Sequence, residues 1–192
     1  MNIPSHPSGL DIHIKDDTWR AGQVEALEII TETFLHTHNV FIGEFPTGTG
    51  KSILGLATAR LLDIPTVYLT GTKQLQEQIK QMSKENTWCQ VLMGRNEYPC
   101  TRYRATRYEQ RTAEDCDHSE NNRCFNFRKC PYKIAKLKAL DARVAVLNYS
   151  YFLFETTHVG DFSRSNQLII SDECDTLEKS LMSFIEVEVS AW

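Results

Sequence analysis

The most constraining feature of the chain is a glycine-rich segment, which reads Glu44-Phe45-Pro46-Thr47-Gly48-Thr49-Gly50-Lys51-Ser52. Its glycines at 48 and 50 allow the backbone to wrap closely around phosphate oxygens. Lys51 supplies a positive charge for the β- and γ-phosphates, and the Ser52 hydroxyl is placed to hold Mg²⁺. Apolar residues 40–42 precede the segment, and residues 53–62 follow it with helical spacing. The sequence therefore predicts a buried strand, a phosphate-binding loop and a helix whose N-terminus faces the anion.

One position of this loop departs from the general pattern G-x-x-x-x-G-K-[ST], because Phe45 stands where the first glycine would lie. The spelling Pro-Thr-Gly-Thr-Gly-Lys-Ser is instead similar to the loop of the helicase branch of phosphate-loop proteins. We expect the loop to bind ATP and Mg²⁺ through a continuous set of residues: Thr47, Gly48, Thr49, Gly50, Lys51 and Ser52.

A second motif is the apolar run Leu168-Ile169-Ile170-Ser171 followed by two acidic residues. An apolar strand that ends in two carboxylates is what a nucleotide hydrolase needs opposite its phosphate loop. Asp172 at the strand tip would hold Mg²⁺ through water, and Glu173 would orient and polarise the attacking water. Alone, such a pair is a weak signal, but the phosphate loop upstream makes it strong.

The remaining patterns predict an α/β fold with a parallel sheet covered by helices on both faces. Strands are expected at 40–42, 66–70, 143–147 and 168–170, and helices at 21–35, 53–62 and 74–82, with a short helix at 149–154. The stretch 93–139 breaks this alternation and is rich in Arg, Tyr and Cys. We interpret it as an inserted subdomain within a main domain formed by residues 1–92 and 140–192.

Composition limits the setting of the protein. The 192 residues are 41% hydrophobic, and the sequence contains no apolar run of the roughly 18 residues that a membrane span requires. The N-terminus lacks the basic-then-apolar pattern of a signal peptide. We therefore expect a cytoplasmic protein (nucleoid-associated in a bacterium, nuclear in a eukaryote) that makes no membrane contact.

Four of the six cysteines lie in the insertion, at Cys100, Cys116, Cys124 and Cys130. Their spacing lacks the paired C-x₂-C knuckles of common zinc sites. Four thiolates fit the Cys₄ ligation of a [4Fe–4S] cluster, but spacing alone leaves a cluster, zinc and unliganded thiols open. Cys89 and Cys174 are expected to be small buried residues.

The net charge of −4 conceals a basic segment. Residues 95–138 carry 11 Lys/Arg and 6 Asp/Glu, a net of +5, whereas the remainder carries −9. Aromatic residues are interleaved with these arginines, a pattern typical of a channel for single-stranded nucleic acid. A solvated charged surface, with rings that shield a metal centre, would give the same pattern.

Taken in order, these motifs resemble the N-terminal part of the XPD/DinG-like iron–sulfur helicases of superfamily 2, across roughly residues 17–190. The matching segments, in chain order, are Trp19-Arg20-Ala21-Gly22-Gln23, the phosphate loop, residues 68–76 (similar to motif Ia), residues 94–100, Cys130-Pro131-Tyr132, residues 146–149 and Asp172-Glu173.

The resemblance implies an ATP-dependent DNA helicase whose first RecA-like domain is this chain, with 5′-to-3′ movement on single-stranded or forked DNA. It places Arg20 and Gln23 near the adenine, and Lys51, Asp172 and Glu173 at the hydrolytic centre. It assigns the four insertion cysteines to a [4Fe–4S] cluster. It also implies DNA contacts from six residues: Thr72, Lys73, Gln76, Arg102, Arg107 and Asn148.

Two departures from the family keep other functions open. Asp172-Glu173-Cys174-Asp175 replaces the usual Asp-Glu-Ala-His, a spelling known from a group of RNA helicases. The sequence also stops at Trp192, before any second RecA-like domain, which we expect in a longer form of the chain or in a partner protein. Without that domain, we expect hydrolysis to be very slow. The alternatives are a non-catalytic nucleic-acid-binding or regulatory module that retains ATP binding, and an RNA-dependent ATPase with a zinc site.

Overall fold

A computed structural model describes residues 2–36, 39–84, 86–101, 111–116 and 127–185. In chain order the helices are α1 (Gln23–His36), α2 (Lys51–Leu62), α3 (Lys73–Ser83), α4 (Pro131–Asp141), α5 (Tyr149–His158) and α6 (Leu177–Ile185). The strands are β1 (Thr66–Thr70), β2 (Cys89–Val91), β3 (Val144–Asn148) and β4 (Leu168–Ser171).

The four strands form one parallel sheet in the order β2-β3-β1-β4. Thr66 of β1 lies opposite Val144 of β3 on one side and Leu168 of β4 on the other. Because parallel strands end at the same edge, the residues that follow β1, β3 and β4 meet at the carboxyl edge of the sheet.

Helices cover both faces of this sheet, as the sequence predicts. Tyr68, Val144 and Val146 face a core that includes residues of α1, α2 and α3. The alternate residues Leu69 and Leu147 face a second core that includes residues of α4 and α5. Burying an aliphatic side chain contributes about 1.5–3 kcal/mol, so the alternation of apolar residues within each strand stabilises both layers at once.

The predicted helices and strands are confirmed with one exception. β1 has the predicted bounds, and α1, α2, α3, β3 and β4 differ from prediction by at most two residues at either end. α5 is longer than predicted, and β2, α4 and α6 were not predicted. Both α4 and β2 pack against the part of the sheet formed by β3, so α4, which we had placed in the insertion, covers the main sheet.

The exception is the buried strand predicted at residues 40–42, which is wrong. No strand of the sheet pairs with this run among the described residues. Val40 is 70% exposed and Ile42 85% exposed. An extended run becomes a strand only when a neighbouring strand pairs with its backbone groups through hydrogen bonds. Among the described residues, β4 pairs with β1 and not with residues 40–42. Apolar composition alone was therefore a misleading signal.

A buried ion pair joins α4 to α5. The Lys136 ammonium lies 2.8 Å and 2.9 Å from the two carboxylate oxygens of Glu155, and 2.9 Å from Asp161 Oδ2. The Tyr151 hydroxyl donates to Glu155 at 2.9 Å and contacts the Tyr132 hydroxyl at 2.7 Å. Burial lowers the pKa of Lys136, but its bonds to Glu155 and Asp161 outweigh this effect and raise it overall. The Lys136 ammonium therefore stays charged, and its bonds fix α4 against α5.

Candidate functional site

The glycine-rich loop leads directly into α2, which begins at Lys51. Gly48 and Gly50 have φ values of +80° and +82°, a left-handed conformation that side chains other than glycine rarely adopt. The Gly50 carbonyl accepts hydrogen bonds from the amides of Ile53 and Leu54 and thus starts the helix. The glycines therefore allow the loop to turn sharply so that the first amides of α2 face outward.

Two residues predicted to lie near an adenine brace the backbone of this loop. The Gln23 amide nitrogen donates to Thr49 O at 2.8 Å, and its oxygen accepts from Arg20 N at 2.8 Å. The Arg20 guanidinium donates to Gly48 O. Gln23 is buried, whereas Arg20 is exposed. The structure thus gives both residues a role in shaping the loop, and the adenine contact stays a prediction.

Two side chains of the loop donate hydrogen bonds to the loop's own backbone. The Lys51 ammonium donates to Phe45 O at 3.3 Å, and the Thr49 hydroxyl donates to Pro46 O at 2.8 Å. Thr47 is exposed, while Ser52 is buried. Phe45, the residue in place of glycine, packs partly into the core and leaves its carbonyl to orient Lys51.

The structure brings the two sequence motifs together. Ser52 Oγ donates to Asp172 Oδ2 at 2.9 Å, although the two residues are 120 positions apart in the chain. Asp172 follows β4 and is 7% exposed. A hydroxyl and a carboxylate oxygen are the hard donors that Mg²⁺ prefers in nucleotide sites, so these two residues fit the ion that the motifs imply.

Two tyrosines that sequence reasoning missed also bind Asp172. The Tyr68 hydroxyl donates to Asp172 Oδ2 at 2.9 Å, and the Tyr149 hydroxyl donates to Asp172 O at 2.7 Å. Burial and the Asp172 carboxylate raise the pKa of Tyr68 well above its ordinary value, and burial raises the pKa of Tyr149 to about 12. Both phenols therefore remain protonated hydrogen-bond donors at neutral pH.

Glu173 occupies the turn that leaves β4. Its φ of +57° places a non-glycine residue in the left-handed region, where strain is commonly concentrated at functional sites. Its carbonyl accepts from the amide and the hydroxyl of Thr176, each at 2.9 Å, which holds the turn. The Glu173 side chain is exposed at the carboxyl edge of the sheet, where it is free to reach a water molecule. Cys174, which we expected to be buried, is exposed in the same turn, and that prediction is wrong.

The predicted DNA contacts fall into four groups. Thr72 caps α3 by accepting from Leu75 N at 3.3 Å, and Asn148 caps α5 by accepting from Tyr151 N at 2.7 Å. Lys73 is exposed and pairs with Glu97. Gln76 is fully buried, with its amide nitrogen donating to Leu92 O at 3.2 Å, so we leave it out of the surface contacts. Arg102 and Arg107 lie outside the described residues.

The insertion cysteines are only partly described. Cys100, Cys116 and Cys130 are half-buried, and Cys124 lies outside the described residues. Arg95 donates to Ala113 O at 2.9 Å and to Cys116 O at 2.9 Å, and its guanidinium lies over the Tyr132 ring. Within the described ranges, no three His, Cys, Asp or Glu side chains gather as a metal site. The described cysteines alone therefore do not form a cluster site.

Fold and site together define a phosphate-loop nucleotide-binding domain of the RecA-like type, with a parallel sheet, a glycine-rich loop and an acidic strand end. The family model described as ResIII, Type III restriction enzyme, res subunit, matches residues 16–188, and the chain belongs to this family. It is thus a helicase-like ATP-binding domain of the kind that forms the N-terminal RecA-like part of superfamily 2 proteins.

Two further findings accompany this identification. Comparison with curated proteins gave no match. Where the chain is described, its helices lack the length and apolar character needed to cross a membrane.

Proposed function

We propose that this chain is the ATP-binding half of an ATP-dependent DNA helicase that carries a [4Fe–4S] cluster. The observation that carries the nucleotide part is the 2.9 Å hydrogen bond from Ser52 to Asp172. It unites the end of the phosphate loop with the acidic end of β4 at the carboxyl edge of a parallel sheet, where ligands of such sheets bind.

The described residues have distinct roles in the proposed hydrolysis of ATP. The backbone around Gly48 and Gly50 cradles the phosphates, and the Lys51 ammonium leaves Phe45 O to bind their outer oxygens. Ser52 and Asp172 would hold Mg²⁺, which neutralises phosphate charge when it is bound. Glu173 lies beside this pair and orients the attacking water. These roles follow from where β4 ends and α2 begins.

Arginine supplied by a second RecA-like domain is the remaining component. Hydrolases of this type gain about 10³–10⁵-fold in rate from such an arginine. We propose that the domain comes from a longer form of the same chain or from a partner protein. The described domain alone would then bind ATP and hydrolyse it slowly.

We propose single-stranded or forked DNA as the polymer, tracked 5′ to 3′. Thr72 and Lys73 at the start of α3, and Asn148 at the start of α5, share the carboxyl edge of the sheet with the nucleotide site. Two helix N-termini and a lysine suit phosphate oxygens. The basic segment 95–138, including Arg102 and Arg107, would extend this path. Direction and preference for DNA rest on the resemblance described above.

The cluster is a separate part of the proposal. It assigns Cys100, Cys116, Cys124 and Cys130 to [4Fe–4S] within the inserted subdomain expected at about residues 93–139, between main-domain segments 1–92 and 140–192. Because α4 packs on the main sheet, we propose that the insertion ends before Pro131. Supporting it, Arg95 ties the Cys116 segment to Tyr132, two residues after Cys130. No step of hydrolysis depends on the cluster. About four irons per anaerobically purified chain would support it, whereas one zinc per chain would favour an RNA-dependent ATPase.

Nucleotide binding and turnover test the proposal directly. Titration of the 192-residue protein with ATP and MgCl₂ should show binding that Lys51→Ala abolishes. Lys15→Ala is the matched control, because Lys15 is exposed and lies outside the loop. Weak turnover that single-stranded DNA stimulates more than RNA would support the DNA assignment. Equal binding by wild type and Lys51→Ala would overturn the site.

A further inference from the structure

We propose that Tyr68 and Tyr149 are positioning residues that hold Asp172 in place for the metal-bound nucleotide. The proposal rests on the function proposed above, because it requires a metal ion at Ser52 and Asp172. Tyr68 anchors the Asp172 side chain and Tyr149 anchors its main chain, at 2.9 Å and 2.7 Å. Asp172 is thus fixed through both its side chain and its main chain.

The two tyrosines do what Ser52 cannot do alone. Ser52 is the second residue of α2, directly after the phosphate loop, so its bond to Asp172 depends on the position of that loop. Tyr68 lies in β1, a strand of the sheet, and Tyr149 opens α5, which packs against β1 and β3. They therefore define the position of Asp172 relative to the sheet, whatever the loop does when a nucleotide enters.

Room for Tyr68 depends on a missing side chain in α2. A Cβ at Gly55 would lie 2.6 Å from Tyr68 Cε2 and 3.0 Å from its hydroxyl oxygen. Any larger residue at position 55 would push the ring away from Asp172. Tyr68 itself is 1% exposed, so no bulk water competes for its hydroxyl. Phenylalanine would fill the same core, and packing therefore does not explain the hydroxyl.

Magnesium dependence separates positioning from a merely structural role. A fluorescent ATP analogue is titrated against the 192-residue protein in EDTA and at a series of MgCl₂ concentrations. Tyr68→Phe should raise the MgCl₂ concentration for half-maximal binding by about tenfold, the effect of losing a hydrogen bond to a charged group. Affinity in EDTA should stay within about twofold of wild type. Tyr149→Phe should shift the midpoint in the same direction by a smaller factor, because it binds only the main chain.

Tyr132→Phe is the matched control. It also removes a buried hydroxyl, but that hydroxyl bonds to Tyr151, away from Asp172. It should leave the MgCl₂ midpoint unchanged even if it lowers stability. Gly55→Ala keeps the Tyr68 hydroxyl but displaces the ring, so it should reproduce the shift. In the double variant Gly55→Ala/Tyr68→Phe, the MgCl₂ midpoint should then lie close to that of Tyr68→Phe alone.

The outcomes distinguish this inference from the proposed function. Failure of wild type to bind the analogue at any MgCl₂ concentration would overturn the proposed function itself. Normal wild-type binding with an unchanged midpoint in Tyr68→Phe and Gly55→Ala would overturn only the positioning role. Equal losses of nucleotide affinity in EDTA and in MgCl₂ would also overturn only the positioning role. If Tyr68→Phe fails to fold, Gly55→Ala and Tyr149→Phe carry the test.

Discussion

Replacing Lys136 with methionine tests the energetic importance of the ion pair between α4 and α5. The Lys136 and Glu155 side chains are 5% and 2% exposed, and the ammonium makes three contacts of 2.8–2.9 Å with Glu155 and Asp161. Lys136→Met leaves the buried Glu155 carboxylate with the Tyr151 hydroxyl as its one donor among the described residues. Breaking a buried pair in this way costs about 3–5 kcal/mol. In a chain of this size, that corresponds to a fall in melting temperature of roughly 6–20 °C.

The size of the loss should depend on which partner is removed. Glu155→Gln leaves Lys136 paired with Asp161, so we expect a smaller loss of about 1–3 kcal/mol. The double variant Lys136→Met/Glu155→Leu removes both charges, and it should recover to within about 1 kcal/mol of wild type.

Urea unfolding followed by circular dichroism measures each variant. The reasoning would be refuted if Lys136→Met lay within about 1 kcal/mol of wild type. It would also be refuted if the double variant were less stable than both single variants. Either result would mean that α4 is held by apolar packing and that the pair contributes little.

Three further predictions concern the loop and the acidic edge. Glu173→Gln should retain Mg²⁺-dependent ATP binding but lower turnover by about 10²-fold or more, since it removes the group that polarises water; unchanged turnover in a phosphate-release assay would exclude this role. Gly50→Ala should destabilise the protein more than Gly160→Ala. Both glycines have φ near +80°, so each variant should lose about 1–2 kcal/mol from backbone strain, but only a Cβ at position 50 would meet Gln23, at 2.6 Å from its amide nitrogen. Equal unfolding free energies for the two variants would contradict the bracing role of Gln23. Burial raises the pKa of Tyr149 to about 12 in the folded protein, above its unfolded value near 10. Its contribution to the free energy of unfolding is therefore complete below pH 10 and declines by up to about 1.4 kcal/mol per pH unit as the pH rises toward 12. Tyr149→Phe should flatten this part of the alkaline stability profile, and an unchanged slope would argue against burial of the hydroxyl.

The sequence was informative where a motif and a strong periodic pattern coincided. The glycine-rich loop predicted the turn before α2, and the apolar run before Asp172 predicted β4. Parallel topology then dictated that both lie at one edge, although 120 residues separate Ser52 from Asp172. The family match agrees with this reading.

Other features depend on tertiary contacts that no local pattern encodes. Residues 40–42 have strand-like composition, but no described strand pairs with them. Tyr68 reads as an ordinary aromatic residue of a strand, and its link to Asp172 becomes visible only when α2 crosses it at Gly55. The burial of Gln76 was predictable from the sequence, because Gln76 shares the helical spacing of the buried residues Ile79 and Met82.

Hydrogen exchange with and without a Mg²⁺–ATP analogue that resists hydrolysis tests the central claim most directly. The account predicts slower exchange in peptides that cover residues 46–56 and 168–173, and little change in α4. It also predicts that Lys51→Ala removes this protection. Protection confined to other parts of the chain, or equal protection in Lys51→Ala, would show that the nucleotide does not bind where Ser52 meets Asp172.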